Sequence, residues 1–474
     1  MSTKPESAPP PGPSPFARGP TGLSGGVTLV LGLALLGLLF AASLALPAVD
    51  RAVAFQRAPD SVARVFERRL ELAAALEELP SWESAALAPF VPVTVHTSDE
   101  AIAAFRSVVE IRRGSDTDTA EAKAARELEL DGLRARRAVL LAEKSRIEEA
   151  QADLDELGHN GHARFVAAVR ALESGRADPD DLALAGDGWI GKVATARARG
   201  EPRPEPGSGV KQALTWARGL AGLVAFGALV LLAWLGRNRP DVVAGSIAIP
   251  SPWTPQTGFG VLVRAAFLAV LILAAFQALR ESAHTEIPML FQAAAASLPL
   301  LWLSRKHLAR PHRFGVADVI GYPAVGSTVV LATLALFAID QIGGRALATA
   351  ATAMGAIEPW TFQVDEFLLW SGDATFAFSA FDSLAFGVFA QELAFRGILY
   401  PSLRHVHGPL HAAVLTGFVF SAVHLASQPA MLALAWSGFV FAVSVDRTRT
   451  LLPAILCAIL GGLFEAGMLG ALYR

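Results

Sequence analysis

The stretch Ala390-Gln391-Glu392-Leu393-Ala394-Phe395-Arg396-Gly397 closes an apolar run, Thr375 to Phe389, that has the composition of a membrane span. A carboxylate, an amide and a guanidinium at the end of such a run are costly to bury. Glu392 and Arg396 are four residues apart, on one helix face, and can pair. Gln391 projects about 100° around the helix from Glu392.

The rest of the chain supports a membrane setting. Of 474 residues, 53% are hydrophobic, and the mean hydropathy is +0.43. Both values exceed those of ordinary soluble proteins and predict an all-α, polytopic membrane bundle. The net charge of -3 calls for no polyanionic partner, and nucleic acid is not expected. The only cysteine is Cys457, so no intrachain disulfide is available.

Taken in order, residues 1–26 are rich in Pro, Gly and Ser and are expected to be disordered. Val27 to Val49 is long enough for a retained transmembrane anchor, residues 27–49. Residues 50–210 hold most of the charge and read as a soluble helical domain. Ala63 to Leu79 reads as an amphipathic helix and Glu121 to Leu157 as a longer one. In the longer helix Leu133, Leu140, Ile147 and Leu154 make a thin, coiled-coil-like seam, and an antiparallel hairpin suits it better than a long coiled coil. Glu201 to Gly209 is a Pro/Gly linker back to the membrane.

Residues 211–374 carry further membrane helices, and 375–474 form the last membrane unit. The remaining spans are read at 219–236, 259–279, 287–304, 317–339, 375–397, 408–425, 429–445 and 451–472, about nine in all. Arg305, Lys306, Arg310, Arg313, Arg404, Arg447 and Arg449 fall in alternate loops. By the positive-inside rule those loops and the N-terminus are cytoplasmic, with residues 50–210 extracytoplasmic. The expected location is the plasma (inner) membrane, with the lipid bilayer as first partner.

The motif segment continues into an apolar helix ending Phe420-Ser421-Ala422-Val423-His424. The turn between the two helices centres near His407, with Gln391 16 residues before it and His424 17 after. In an antiparallel hairpin such positions share one depth, so Gln391 or Glu392 can meet His424 inside the membrane.

These residues resemble the CPBP family of intramembrane proteases, which includes the Rce-type CAAX prenyl endopeptidases and bacterial proteins linked to bacteriocin processing and self-immunity. The family's E-E-x-x-x-R-G stands here as Gln391-Glu392-Leu393-Ala394-Phe395-Arg396-Gly397, and its F-x-x-x-H as Phe420 to His424. Arg447-Thr448-Arg449-Thr450-Leu451-Leu452-Pro453-Ala454-Ile455-Leu456 matches the context of the third motif, H-x-x-x-N, but Cys457 and Gly461 hold its His and Asn positions.

The resemblance implies peptide-bond hydrolysis by a water that glutamate and histidine activate, with the third motif stabilising the oxyanion. A divalent metal such as zinc is suggested by the family, although no ligand cluster here implies one. Two readings stay open. In one, Glu392 and His424 handle water, Arg396 orients the carboxylate, and the substrate is a membrane-anchored or lipidated peptide. In the other, the replacements at Gln391, Cys457 and Gly461 leave a non-enzymatic member that binds a membrane peptide as an immunity or scaffold protein. Residues 50–210, with no phosphate loop or clustered His, read as a module for a protein partner. A transporter is the weaker alternative, because the intramembrane charges converge on one hairpin and no inverted repeat is evident.

Overall fold

The computed structural model describes residues 23–57, 59–92, 97–112, 120–172, 174–236, 243, 245–283, 289–315, 320–321, 326–354, 356, 377, 381, 383–424 and 428–473. The expected disorder of residues 1–26 lies outside them for residues 1–22, whereas Gly25 and Gly26 already belong to the first helix. Among the described residues every regular element is helical.

The first helix, α1 (Gly25–Arg57), carries the anchor sequence. Six helices and short turns follow in the charged region: α2 (Pro59–Glu77), α3 (Ser81–Leu87) with a tight turn at Ala88–Phe90, α4 (Thr97–Arg112), α5 (Ala120–Glu143), α6 (Gln151–His159) and α7 (Ala163–Leu172). After α8 (Trp189–Arg199) the chain enters the bundle through α9 (Ser208–Leu235). The bundle continues as α10 (Pro255–Ala283), α11 (Met289–Ser304) and α12 (Ser327–Ala353). Next is a composite helix, α13, built from Ser383–Gly387, Val388–Glu392, Leu393–Leu399 and Tyr400–Leu403. The last three are α14 (Pro409–Val423), α15 (Gln428–Thr448) and α16 (Leu452–Tyr473).

Among the described residues five helices are long and apolar enough to cross a membrane: Ser208–Leu235, Pro255–Phe276, Ser327–Ala353, Pro429–Thr448 and Leu452–Tyr473. Gly25–Ala41 and Pro409–Val423 are shorter apolar helices. This is a helical membrane protein.

The helices of the charged region share one core of Phe66, Phe105, Leu130, Leu133, Leu141, Leu154, Leu157, Val169 and Trp189. The single helix read over Glu121 to Leu157 is corrected here. It ends at Glu143, and Ser145 adopts a left-handed φ of 56° that reverses the chain into α6. Leu133, Leu140 and Leu154 are all buried, but against neighbouring helices instead of a coiled-coil partner.

A second core locks this unit to the bundle: Leu72, Leu76 and Leu87 pack with Val210, Leu214, Met468 and Leu472. Arg69 donates to the Tyr473 hydroxyl at 3.1 Å, and Arg218 pairs with Glu83 at 2.8 Å. The soluble helices therefore sit at the bundle end where α9 begins and α16 finishes. At the start of the chain Arg264 of α10 donates to Thr28 Oγ1 at 2.6 Å and to the Ser24 carbonyl, fastening α1 to α10.

Glu67 is buried in the soluble core, where it accepts from Arg136 at 2.9 Å. Burial holds its carboxyl above the ordinary range, and Arg136 offsets only part of that. The folded state therefore keeps this proton longer than the unfolded chain. The contribution of Glu67 to stability is full below the ordinary carboxylate range and is lost as pH rises through the raised value. In a comparison of thermal unfolding, Glu67→Gln is expected to gain on the wild type as pH rises above the ordinary carboxylate range. A pH-independent difference would contradict this.

Candidate active site of the α13–α14 hairpin

The α13–α14 hairpin turns at residues 404–408, and Gln391 and His424 meet across it: their Nε2 atoms are 3.4 Å apart. His424 Nδ1 donates to the Phe420 carbonyl at 2.6 Å. That leaves Nε2 as an acceptor, so the Gln391 amide donates into it. Gln391 is exposed and His424 half-buried, so this pair is open to a ligand.

Glu392 turns the other way. It is only 2% exposed, and its Oε1 accepts from Arg396 Nη1 at 3.0 Å. Arg396 is fully buried. Its guanidinium lies over the Phe420 ring at 4.2 Å and the Phe441 ring at 5.1 Å. Phe420 also packs on His424, with ring centroids 4.4 Å apart. The motif phenylalanine thus stands between the guanidinium and the imidazole. The wide helical turn over Leu393–Leu399, with Arg396 inside it, is a local departure of the kind common at functional sites.

The buried pair extends into a network on α12. Arg396 Nη2 donates to the Ser437 carbonyl at 3.4 Å, and the Ser437 hydroxyl donates to Asp340 Oδ1. Gln341 donates to Asp340 Oδ2 at 3.2 Å, and Arg345 donates to Gln341 Oε1 at 3.0 Å. Arg345 also donates to the Pro89 carbonyl and lies 4.6 Å over the Phe90 ring. Glu392, Arg396, Asp340 and Arg345 thus lie along one path from the motif to the turn after α3, with Glu465 acting on Arg345 as well.

Sequence reasoning missed Asp340, Gln341 and Arg345 because the span read at 317–339 stopped one residue short of Asp340, and it missed Ser437 because a lone serine inside the span read at 429–445 carries no signal. The helix is instead Ser327–Ala353, which places all three α12 groups inside it. In the fold Gly343 accommodates Trp436, whose indole would collide with a Cβ there and donates to the Ile339 carbonyl at 3.0 Å. The signal that could have found these residues was the apolar run Ile342 to Ala351 after the acid.

Cys457 is buried beside Phe337 and Phe441, within electrostatic reach of Asp340, Glu392 and Arg396. A side chain at Gly461 would begin 3.9 Å from Gln341 Nε2. The third-motif positions thus face α12, and the nearest polar groups there are already committed to one another. Asp340→Ala removes an acceptor used by two donors, a loss of roughly 1.5–3 kcal/mol for a charged hydrogen-bonded group. The expected result is about a tenfold or greater rise in the maleimide labelling rate of Cys457, the sole thiol. Unchanged labelling would show that the network does not hold this region closed.

The donor set does not fit a resident zinc. Catalytic zinc takes three protein ligands, whereas the open pair offers one imidazole and an amide, and Glu392 is tied to Arg396. Among the described residues no group of three or more His, Cys, Asp or Glu is arranged to hold a metal.

Residues 373–461 match the family model described as Type II CAAX prenyl endopeptidase Rce1-like. This segment belongs to the CAAX-protease family. No curated protein and no solved structure matches the chain. The CAAX-protease segment covers Gln391, Glu392, Arg396, His424, Cys457 and Gly461, whereas Asp340, Gln341 and Arg345 fall outside it.

Proposed function

We propose that this CAAX-protease-like membrane protein binds a membrane-anchored or lipidated peptide at the Gln391–His424 pair without efficient hydrolysis. One observation carries the reading: the residue that meets His424 is an amide, and it donates to the nitrogen that would otherwise take a proton from water. A general base contributes about 10²–10⁴ in rate, and each missing oxyanion donor costs about 10²–10³. Gln391 replaces the first, and Cys457 with Gly461 replaces the donors.

A hydrolase is the second reading, favoured by one feature. Glu392 Oε2 has no hydrogen-bond partner among the described residues, so half of that carboxylate remains for proton transfer. In this reading Glu392 and His424 act on water and Arg396 orients Glu392.

The test is cleavage of a lipidated, membrane-inserted peptide by the purified full chain in liposomes. Background cleavage by the wild type, and a gain of about 10²-fold or more in Gln391→Glu combined with Cys457→His, is the expected result. Wild-type cleavage that Glu392→Ala and His424→Ala both abolish would establish the hydrolase instead.

The arrangement proposed is nine crossings in the inner membrane, with residues 27–49 as anchor, 211–374 as added helices and 375–474 as the CAAX-protease-like unit. The N-terminus is cytoplasmic and residues 50–210 extracytoplasmic, as a module for a protein partner. Basic loops at one bundle end and the soluble helices at the other support it. Arg404 pairs with Asp446 at the basic end. Gln391 lies 13 residues before Arg404, about 20 Å away along the helix. In a ~30 Å layer that is nearer the soluble helices, so a peptide would reach the pair from their side.

A further inference from the structure

A cavity of about 690 Å³ lies between α9, α12 and α15, and none of Gln391, Glu392, Arg396 and His424 lines it. Its walls are apolar: Leu336 from α12, Trp234 from α9, and Trp436 and Val443 from α15 are among them. Its polar groups, Ser444, Arg447 and Thr448, gather at one end of α15.

The dimensions fit one leaflet. Trp436, at the deep end, is 11 residues from Arg447, about 16 Å of helix. Half of a ~30 Å hydrocarbon layer is about 15 Å. The polar end coincides with the C-termini of α9 and α15, where Trp234 sits one residue from the helix end, as interfacial tryptophans do. Arg447 there is exposed, at the level of lipid headgroups.

We infer that this groove holds one acyl chain of an anionic phospholipid, with Arg447 at its headgroup and Trp436 at the chain terminus. The occupant is a lipid of the leaflet opposite the soluble helices. A cationic group at the mouth of an apolar slot one leaflet deep matches an anionic headgroup above a chain. The site is independent of the peptide reading, because it shares no residue with the hairpin pair.

The experiment is native mass spectrometry of the delipidated full chain with dioleoyl-phosphatidylglycerol or dioleoyl-phosphatidylcholine. The wild type should retain one phosphatidylglycerol with about fivefold preference. Arg447→Gln should remove the preference but keep the binding, and Val443→Trp should lose both lipids. Equal retention of the two lipids by the wild type, no retention, or variants that behave as the wild type would overturn the proposal. So would displacement of phosphatidylglycerol by a prenylated peptide, which would give the groove to a different ligand. Should Val443→Trp fail to fold, a diazirine-bearing phosphatidylglycerol decides the matter. Its crosslinks should fall within 231–235, 332–339 and 436–448, and crosslinks elsewhere would sink the idea.

Discussion

Glu392→Ala is expected to lower the stability of the membrane bundle by about 3–5 kcal/mol, the cost of stranding one buried partner of an ion pair. Arg396 has no exposed surface, so water cannot replace the lost carboxylate. Its other contacts include the Ser437 carbonyl and the faces of Phe420 and Phe441, and the remaining carboxylate near it, Asp340, is reached only through Ser437. Glu392→Gln keeps an acceptor for Nη1 and should lose less. Replacing both partners, Glu392→Leu with Arg396→Met, should return much of the loss, since apolar substitutes for a buried pair are often neutral or better. Unfolding by increasing SDS fraction in mixed micelles measures all three. If Glu392→Ala unfolds where the wild type does, the pair does not hold the bundle, and a purely chemical role for Glu392 gains ground.

The second large effect is expected at the crossing of α14 and α15. Gly417 and Gly438 face each other so closely that a Cβ on Gly438 would lie 2.6 Å from Gly417 Cα and 3.1 Å from Phe420 Cβ. Small residues permit this approach, and in lipid it is packing of this kind that holds helices together. Gly438→Ala should cost about 1–3 kcal/mol, as overpacking does, and Gly438→Leu more. The displaced residue is Phe420, which supports both His424 and Arg396. The consequence should extend to the site. Spin labels at positions 391 and 424, on a Cys457→Ala background, should give a narrow distance distribution that broadens in Gly438→Leu. A distribution that stays narrow would mean that the helix crossing and the hairpin pair are uncoupled.

These two predictions differ in how far the sequence alone could have supplied them. The Glu392–Arg396 pairing follows from four-residue spacing on one helix and needs no tertiary knowledge. The Gly417–Gly438 contact depends on which faces of two helices meet, and a stretch that is apolar all round does not encode that. The meeting of Gln391 with His424 falls between these cases. Equal distances from a turn set the depth, but only the rotation of each helix decides whether residue 391 or 392 faces the histidine.

The network on α12 was hidden for a related reason. Residue type marks Asp340 as a costly intramembrane acid, yet the span was read as ending at residue 339. The helix continues through Gly343 and Gly344, with Trp436 packed against the first and Ala433 against the second. Within residues 50–210 three of the four seam positions, Leu133, Leu140 and Leu154, are buried and Ile147 is only partly so, and the helix break at Ser145 was not read. Burial follows from an apolar pattern, whereas a left-handed residue between two helical runs is chosen by the packing of both.

By itself, then, the sequence determined that this is a helical membrane protein with a charged helical insertion, and that its C-terminal hairpin carries CAAX-protease motifs with Gln391, Cys457 and Gly461 at departing positions. Local composition and spacing carry that information. Only the tertiary structure decided that Gln391 meets His424, that Glu392 is turned inward to Arg396, and that α12 and the Pro89–Phe90 turn close a polar network around the pair. Those outcomes rest on helix rotation and side-chain packing among segments up to 256 residues apart, which no local pattern specifies.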